Sequence, residues 1–186
     1  MRCCVSRNDS KPRTLLLRDH RPPVLLWVDG SEELAGVAGG AVVDDRTSVA
    51  EYFLFDVSAE LVEAWKCENG VSKVIHQAEL LPVVVALSTW GAAVNGRRVI
   101  AFVDSDAARA ALVNGHSGSP ASARLVGAAW ALAQEYGVYL WVDRVPSPSN
   151  VADGPSRGQV LSAERMGFVR TRAVFPSSES LCLVRV

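Results

Sequence analysis

Four acidic residues stand where carboxylates from distant parts of the chain can act together. Two strongly apolar runs end in aspartate: VLLWVD at 24–29, followed by Gly30-Ser31, and VIAFVD at 99–104, followed by Ser105-Asp106. A third acid, Glu79, lies in IHQAELLPVVVAL among apolar neighbours. A carboxylate beside a buried face is costly unless it is paired, protonated or bound to metal. The fourth, Asp153, lies in SPSNVADGPSRG, directly after the strand-like VYLWVDRV. Gathered together, they form a hard, all-oxygen donor set that suits Mg2+ or Mn2+ better than zinc. Two such ions roughly 3.5–4 Å apart can activate a water and stabilise the leaving oxygen of a phosphodiester. The chemistry suggested is phosphoryl transfer. Taken singly, each acid also has a plainer reading. Aspartate is common where a strand enters a turn, and Asp104-Ser105-Asp106 also reads as a helix cap. Glu79 also fits the edge of an apolar stripe, and Asp153-Gly154 is a turn-forming pair.

The elements that must position these acids follow from the hydrophobic pattern. VLLWVD reads as a buried strand, LAGVAGGAVV at 34–43 as a Gly-rich second strand and EYFLFDV at 51–57 as a third. Their short connections imply an antiparallel meander. SAELVEAWK at 58–66 reads as a helix with Ser58 as its N-cap, and a longer helix is expected over about 72–94. Pro82 complicates the longer helix, because proline cannot donate to the carbonyl of Ala78 and tends to kink the chain. VIAFVD gives a fourth strand and SDAARAALV a capped helix. NGHSGSP reads as a loop, ASARLVGAAWALAQEY as a helix closed by Gly137, and VYLWVDRV as the fifth strand. Strands four and five are each entered from a helix, so both should run parallel to the first. The expected fold class is α/β, a mixed five-stranded sheet with helices on its faces. Ligands of such sheets collect outside the carboxyl ends of the parallel strands, where Asp29 and Asp104 stand.

At 186 residues, 49% of them apolar and 21% charged, the chain suits one globular domain with a sizeable core. Residues 1–22 read as a basic tail or linker, 23–158 as the domain and 159–186 as an extension of unknown role. LLPVVVAL followed by STWGAAV is interrupted by Pro82, Ser88 and Thr89 and falls short of a membrane span. The N-terminus offers only LLL at 15–17 where a signal peptide needs a longer apolar core. Cys3, Cys4, Cys67 and Cys182 lack zinc-site spacing, so free thiols in a reducing compartment are the simplest reading. An intracellular protein, cytoplasmic or nuclear and not secreted, is expected. The net charge of −1 divides unevenly. Residues 1–22 carry six basic and two acidic side chains, 157–186 five and two, and 23–156 eight and sixteen, giving +4, +3 and −8. A protein that merely coats nucleic acid would need a basic face. An acidic middle with basic ends is compatible with carboxylates that hold cations while the ends meet a polyanion, and equally with solvated surface charge and loose basic tails.

In order, WVDGS, HQAELLPVVVAL, AFVDSDAARAAL and SNVADGPSR resemble the ribonuclease H domain of retroelement reverse transcriptases. The resemblance is nearest to the long-terminal-repeat and tyrosine-recombinase groups and covers about residues 24–157. It implies a ribonuclease H-like fold and endonucleolytic, metal-dependent hydrolysis of the RNA strand of RNA/DNA hybrids. Asp29, Glu79, Asp104 and Asp153 match the family's metal-binding carboxylates. Ser31 and Asn150 match positions near the substrate backbone, and Gln77 is a candidate hybrid contact whose alternative is an ordinary exposed helix position. Two Mg2+ ions, replaceable by Mn2+, are the implied cofactors. An attached or lost polymerase domain is the implied partner, with residues 1–22 a remnant of the connection.

Some family features have no counterpart here. SPSN stands where cellular members carry a histidine loop, and no basic handle is visible; His20, His76 and His116 match no catalytic position. With an acidic core and no handle, the isolated domain should bind hybrid weakly and with steep salt dependence. Two competing readings remain at this level: a DNA nuclease, resolvase or integrase-like enzyme on the same fold, and a degenerate, non-catalytic nucleic-acid-binding module.

Overall fold

The computed structural model describes residues 20–33, 36–47, 49–70 and 72–176. The second possible strand of the extension, LCLVRV at 181–186, and Cys3, Cys4 and Cys182 lie outside the described residues. Strands β1 (Val24–Glu33), β2 (Gly36–Asp44) and β3 (Ala50–Asp56) form the antiparallel meander. Helices α1 (Ala59–Asn69) and α2 (Ile75–Trp90) lead to β4 (Arg98–Val103), then α3 (Asp106–Asn114) and α4 (Pro120–Glu135) to β5 (Tyr139–Arg144). After a 3-10 turn at Ser147–Ser149 come α5 (Asp153–Ser156), α6 (Leu161–Arg165) and β6 (Val169–Arg170). The sheet order is β5-β4-β1-β2-β3-β6, with β4 parallel to β1 and β5 parallel to β4.

Among the described residues the sheet thus has six strands where five were expected. The sixth comes from the extension, whose FVRTRAVF contributes only Val169 and Arg170, paired parallel to Glu51 and Tyr52 of β3. Residues 160–170 pack on the same sheet. Ala163 is fully buried, and Tyr52 donates from its hydroxyl to Glu164 Oε1 at 2.9 Å.

Burial alternates over residues 24–28 of β1, although that stretch is apolar throughout. Val24, Leu26 and Val28 face a core shared with α1–α4, while Leu25 and Trp27 on the other face are half-buried. That second face is covered over β2 and β3, where Val42 and Tyr52 meet Ala152 and Ala163. Toward β4 and β5 it carries half-buried Ile100 and Phe102 and exposed Trp141. On the first face, burying each large aliphatic side chain stabilises by about 1.5–3 kcal/mol, and α2 brings Leu80, Leu81, Val83, Val84, Val85 and Leu87.

Helix ends follow local chemistry. Ser58, Ser105 and Ser119 each accept a backbone N–H from their helix's first turn, and Gly70 and Gly115 end α1 and α3 in the left-handed conformation. Ser119-Pro120, read as the end of a loop, is the N-cap and first residue of α4, where proline's missing N–H costs nothing. α2 is shorter than the 72–94 expectation and starts only at Ile75.

Candidate active site

Asp29 and Asp104 emerge from the same sheet edge because β1 and β4 run parallel in register. The last paired residues are Trp27 and Phe102, whose rings stack at 5.4 Å. With a side-chain period of two, Asp29 and Asp104 are the next residues on that face of each strand. Glu79 arrives from α2 on the opposite side, which requires close approach of helix and strand. A Cβ on Gly30 would lie 2.1 Å from the carbonyl oxygen of Ala78, so only glycine lets the helix backbone rest there. That carbonyl is the one Pro82 leaves without a helical donor. Pro82 is therefore accommodated within α2, with its ring against Gly39 and the freed carbonyl against Gly30.

The result is a tight group of acids. One carboxylate oxygen from each of Asp29, Glu79 and Asp104 lies within 4.8 Å of the others. Asp29 is only 3% exposed. Burial, opposed by the hydroxyl of Ser156 and reinforced by Asp104 and Asp153, raises its carboxyl to about 7. Burial, with Asp29 and Asp104 adding repulsion, raises Glu79 to about 8, while the Gly30 N–H and Arg157 act in the other direction. Glu79 Oε2 and Asp104 Oδ1 are buried without a hydrogen-bond partner. Crowded, under-satisfied oxygens of this kind suit a hard divalent cation, which would supply the missing positive charge.

Asp153 is placed beside this group but not in it. It opens α5, so the expected loop is a short helix, and its Oδ1 accepts from Arg157 Nε at 3.0 Å. Arg157 also donates from Nη1 to Glu33 Oε1 at 2.8 Å. The acid is near enough to raise Asp29, and Arg157 near enough to lower both Asp29 and Glu79.

The three expected substrate contacts are turned to internal use. Ser31, 5% exposed, donates from Oγ to the carbonyl of Ser156 at 2.9 Å. Asn150, also 5% exposed, donates to the carbonyl of Val28 at 3.0 Å and accepts from the N–H of Ala152, fastening the chain after β5 to β1. Gln77 is 3% exposed, and its Nε2 donates to Ser119 Oγ and Ser122 Oγ at 3.1 and 3.0 Å. It is a joint between α2 and α4, neither a surface contact nor an exposed helix position. His116 lies exposed in the loop after α3. Ser156 and Arg157 lie within the SNVADGPSR stretch, where no role is expected for them, and both touch the acids. Their signal is the spacing from Asp153, three and four residues on, which places all three on one face once the stretch is helical.

No protein-family model and no curated protein matches the sequence. Solved structures do. The N-terminal RNase H domain of a Mycobacterium tuberculosis protein, solved as a fusion with maltose-binding protein, superposes with TM-score 0.58 at 17% identity, covering 78% of this chain and 98% of that one. RNase H1 of the halophilic archaeon Halobacterium salinarum gives 0.56 at 15% identity over 75% of this chain and 98% of its own. LC11-RNase H1, solved in complex with an RNA/DNA hybrid, gives 0.55 at 13% over 76% and 99%. The chain has the ribonuclease H-like fold.

Proposed function

We propose that this protein is a divalent-metal-dependent ribonuclease H that cuts the RNA strand of RNA/DNA hybrids. The observation that carries the reading is the convergence of Asp29, Glu79 and Asp104 at the carboxyl edge of β1 and β4, with oxygens within 4.8 Å of one another on a ribonuclease H-like fold. In this reading the three carboxylates hold Mg2+, with Mn2+ as substitute, and Asp153 joins them as the fourth acid. A cation bound there supplies Lewis-acid activation of water and of the phosphate oxygens. The chain's own residues set the conditions for loading. Asp29 and Glu79, raised to about 7 and about 8, must give up their protons first, so cation affinity rises with pH through that range. Arg157 stabilises the ionised forms of both and holds Asp153 by the side of the cluster.

The uneven charge supports a role beside a polymerase domain, as in a retroelement reverse transcriptase. Residues 23–156 carry a net −8, which repels a hybrid, so a neighbouring domain would supply the grip. The test is a panel of end-labelled RNA/DNA hybrid, RNA duplex, DNA duplex and branched DNA incubated with Mg2+. Hybrid-selective cutting that leaves 3′-hydroxyl and 5′-phosphate ends and is lost in Asp29→Asn is expected. Preferential cutting of DNA substrates, or equal cutting by Asp29→Asn, would overturn the assignment.

A further inference from the structure

Asp29 is directly opposite Gly40 in the β1–β2 register. The missing side chain at Gly40 makes room for α5. A Cβ there would lie 2.6 Å from the backbone nitrogen of Ser156 and 2.9 Å from the carbonyl carbon of Pro155. Ser156 is thereby pressed onto the sheet beside Asp29, 2% exposed. Its backbone is tied on two sides, the N–H to the carbonyl of Ala152 at 2.9 Å and the carbonyl to Ser31 Oγ at 2.9 Å. With the backbone fixed, the hydroxyl is delivered to Asp29. Ser156 Oγ contacts Asp29 Oδ2 and also lies 2.9 Å from the carbonyl oxygen of Asp153. The hydroxyl has one proton, and an ionised carboxylate is the stronger acceptor of the two.

We infer that Ser156 is a positioning residue that holds one oxygen of Asp29 and thereby sets the orientation in which this carboxylate meets a divalent cation. The inference rests on the proposed metal-dependent function and concerns the same site. Asp29 is the acid for which orientation matters most, since it is almost fully buried between Glu79, Asp104 and α5. Without the hydroxyl, Oδ2 has no donor from α5, and like-charge repulsion from its neighbours is free to turn it. The contact also joins Asp29 to the backbone that carries Asp153, so two of the four acids move as one unit.

The experiment compares wild type, Ser156→Ala, Ser156→Thr and Ser122→Ala in the full chain. Ser122, on α4, is fully buried and hydrogen-bonded to Gln77, and controls for the loss of a buried hydroxyl. Mg2+ and Mn2+ binding is read by calorimetry, and kcat and KM on a labelled hybrid are measured separately. Ser156→Ala should weaken cation binding about tenfold and lower kcat by about tenfold, with KM within about twofold of wild type. Ser122→Ala should bind cation as wild type does, although its thermal stability falls comparably. Ser156→Thr keeps the hydroxyl and should recover most of the lost affinity. If Thr does not fit the buried site, the contrast between Ser156→Ala and Ser122→Ala decides. Wild-type cation affinity and kcat in folded Ser156→Ala overturn the inference and leave the proposed function standing. A wild type that binds cations but cuts no hybrid defeats the function while the binding comparison still judges Ser156. A wild type that takes up no cation defeats both.

Discussion

Replacing Glu79 by glutamine should stabilise the protein at alkaline pH with divalent cations chelated, while removing its cleavage activity. Burial and the neighbouring Asp29 and Asp104 raise the Glu79 carboxyl from 4.5 to about 8, so the folded protein binds this proton more tightly than the unfolded chain does. The stability this contributes is fully present below about pH 4.5 and is lost as pH rises through about 8. At ~1.4 kcal/mol per unit, a shift of this size corresponds to something on the order of 5 kcal/mol in a dry site. Glu79 is only partly buried, and solvent screening reduces the usable figure to about 2 kcal/mol. Glutamine carries no charge at any pH and keeps an oxygen to accept from the Gly30 N–H. For a chain of this size ~1 kcal/mol moves the melting temperature by ~2–4 °C. In EDTA, Glu79→Gln should therefore melt ~4–8 °C above wild type near pH 8 and level with it near pH 4, as followed by circular dichroism. Adding Mg2+ should raise the wild-type melting temperature more than that of the variant. An offset of the same size at both pH values, or a variant less stable at pH 8, would show that the Glu79 carboxyl is not held protonated by its surroundings.

Other perturbations separate the scaffold from the site. Gly30→Ala puts a Cβ 2.1 Å from the Ala78 carbonyl and should destabilise by about 3 kcal/mol in urea unfolding. Gly118→Ala, with nothing within 4 Å, should stay within ~0.5 kcal/mol of wild type in the same assay. Ending the chain at Gly158 removes α6 and β6 and exposes Tyr52 and Val42, so it should lower stability by about 3 kcal/mol or more; an unchanged urea midpoint would show that the extension is dispensable. Arg157→Gln breaks two half-exposed ion pairs and should cost less than ~1 kcal/mol. Removing this positive charge should also move the carboxyl titrations of Asp29 and Glu79 to higher pH, measured by carbon NMR.

The acids from the strands were legible because each terminates an apolar run, and parallel pairing of such runs brings their ends to one edge. Glu79 was legible as a carboxylate set among apolar neighbours, which the edge of an apolar stripe could also explain. The role of Pro82 was not, because its compensation lies in tertiary contact: Gly30 and Gly39, distant in sequence, provide the space that lets proline stay inside a helix. The sixth strand was hard to place for a similar reason. Val169 and Arg170 pair with an edge that exists only once β3 is in position, and their own pattern is too short to announce it. Ser31, Gln77 and Asn150, expected near substrate, all make hydrogen bonds inside the protein. A polar residue beside a catalytic acid can equally be the one that fastens the acid's scaffold, and here each is buried with its hydrogen bonds made inside the protein. Gly154 and Pro155 disguised α5 as a loop and hid the common face of Asp153, Ser156 and Arg157.

The proposed function depends on Asp29, Glu79 and Asp104 jointly holding a divalent cation. Anomalous diffraction from crystals soaked in Mn2+ and measured at the manganese edge tests it most directly. A peak bounded by the three carboxylates is expected, absent in Asp29→Asn crystals treated in the same way. No peak at that position in wild type, with the three side chains well ordered, would contradict it.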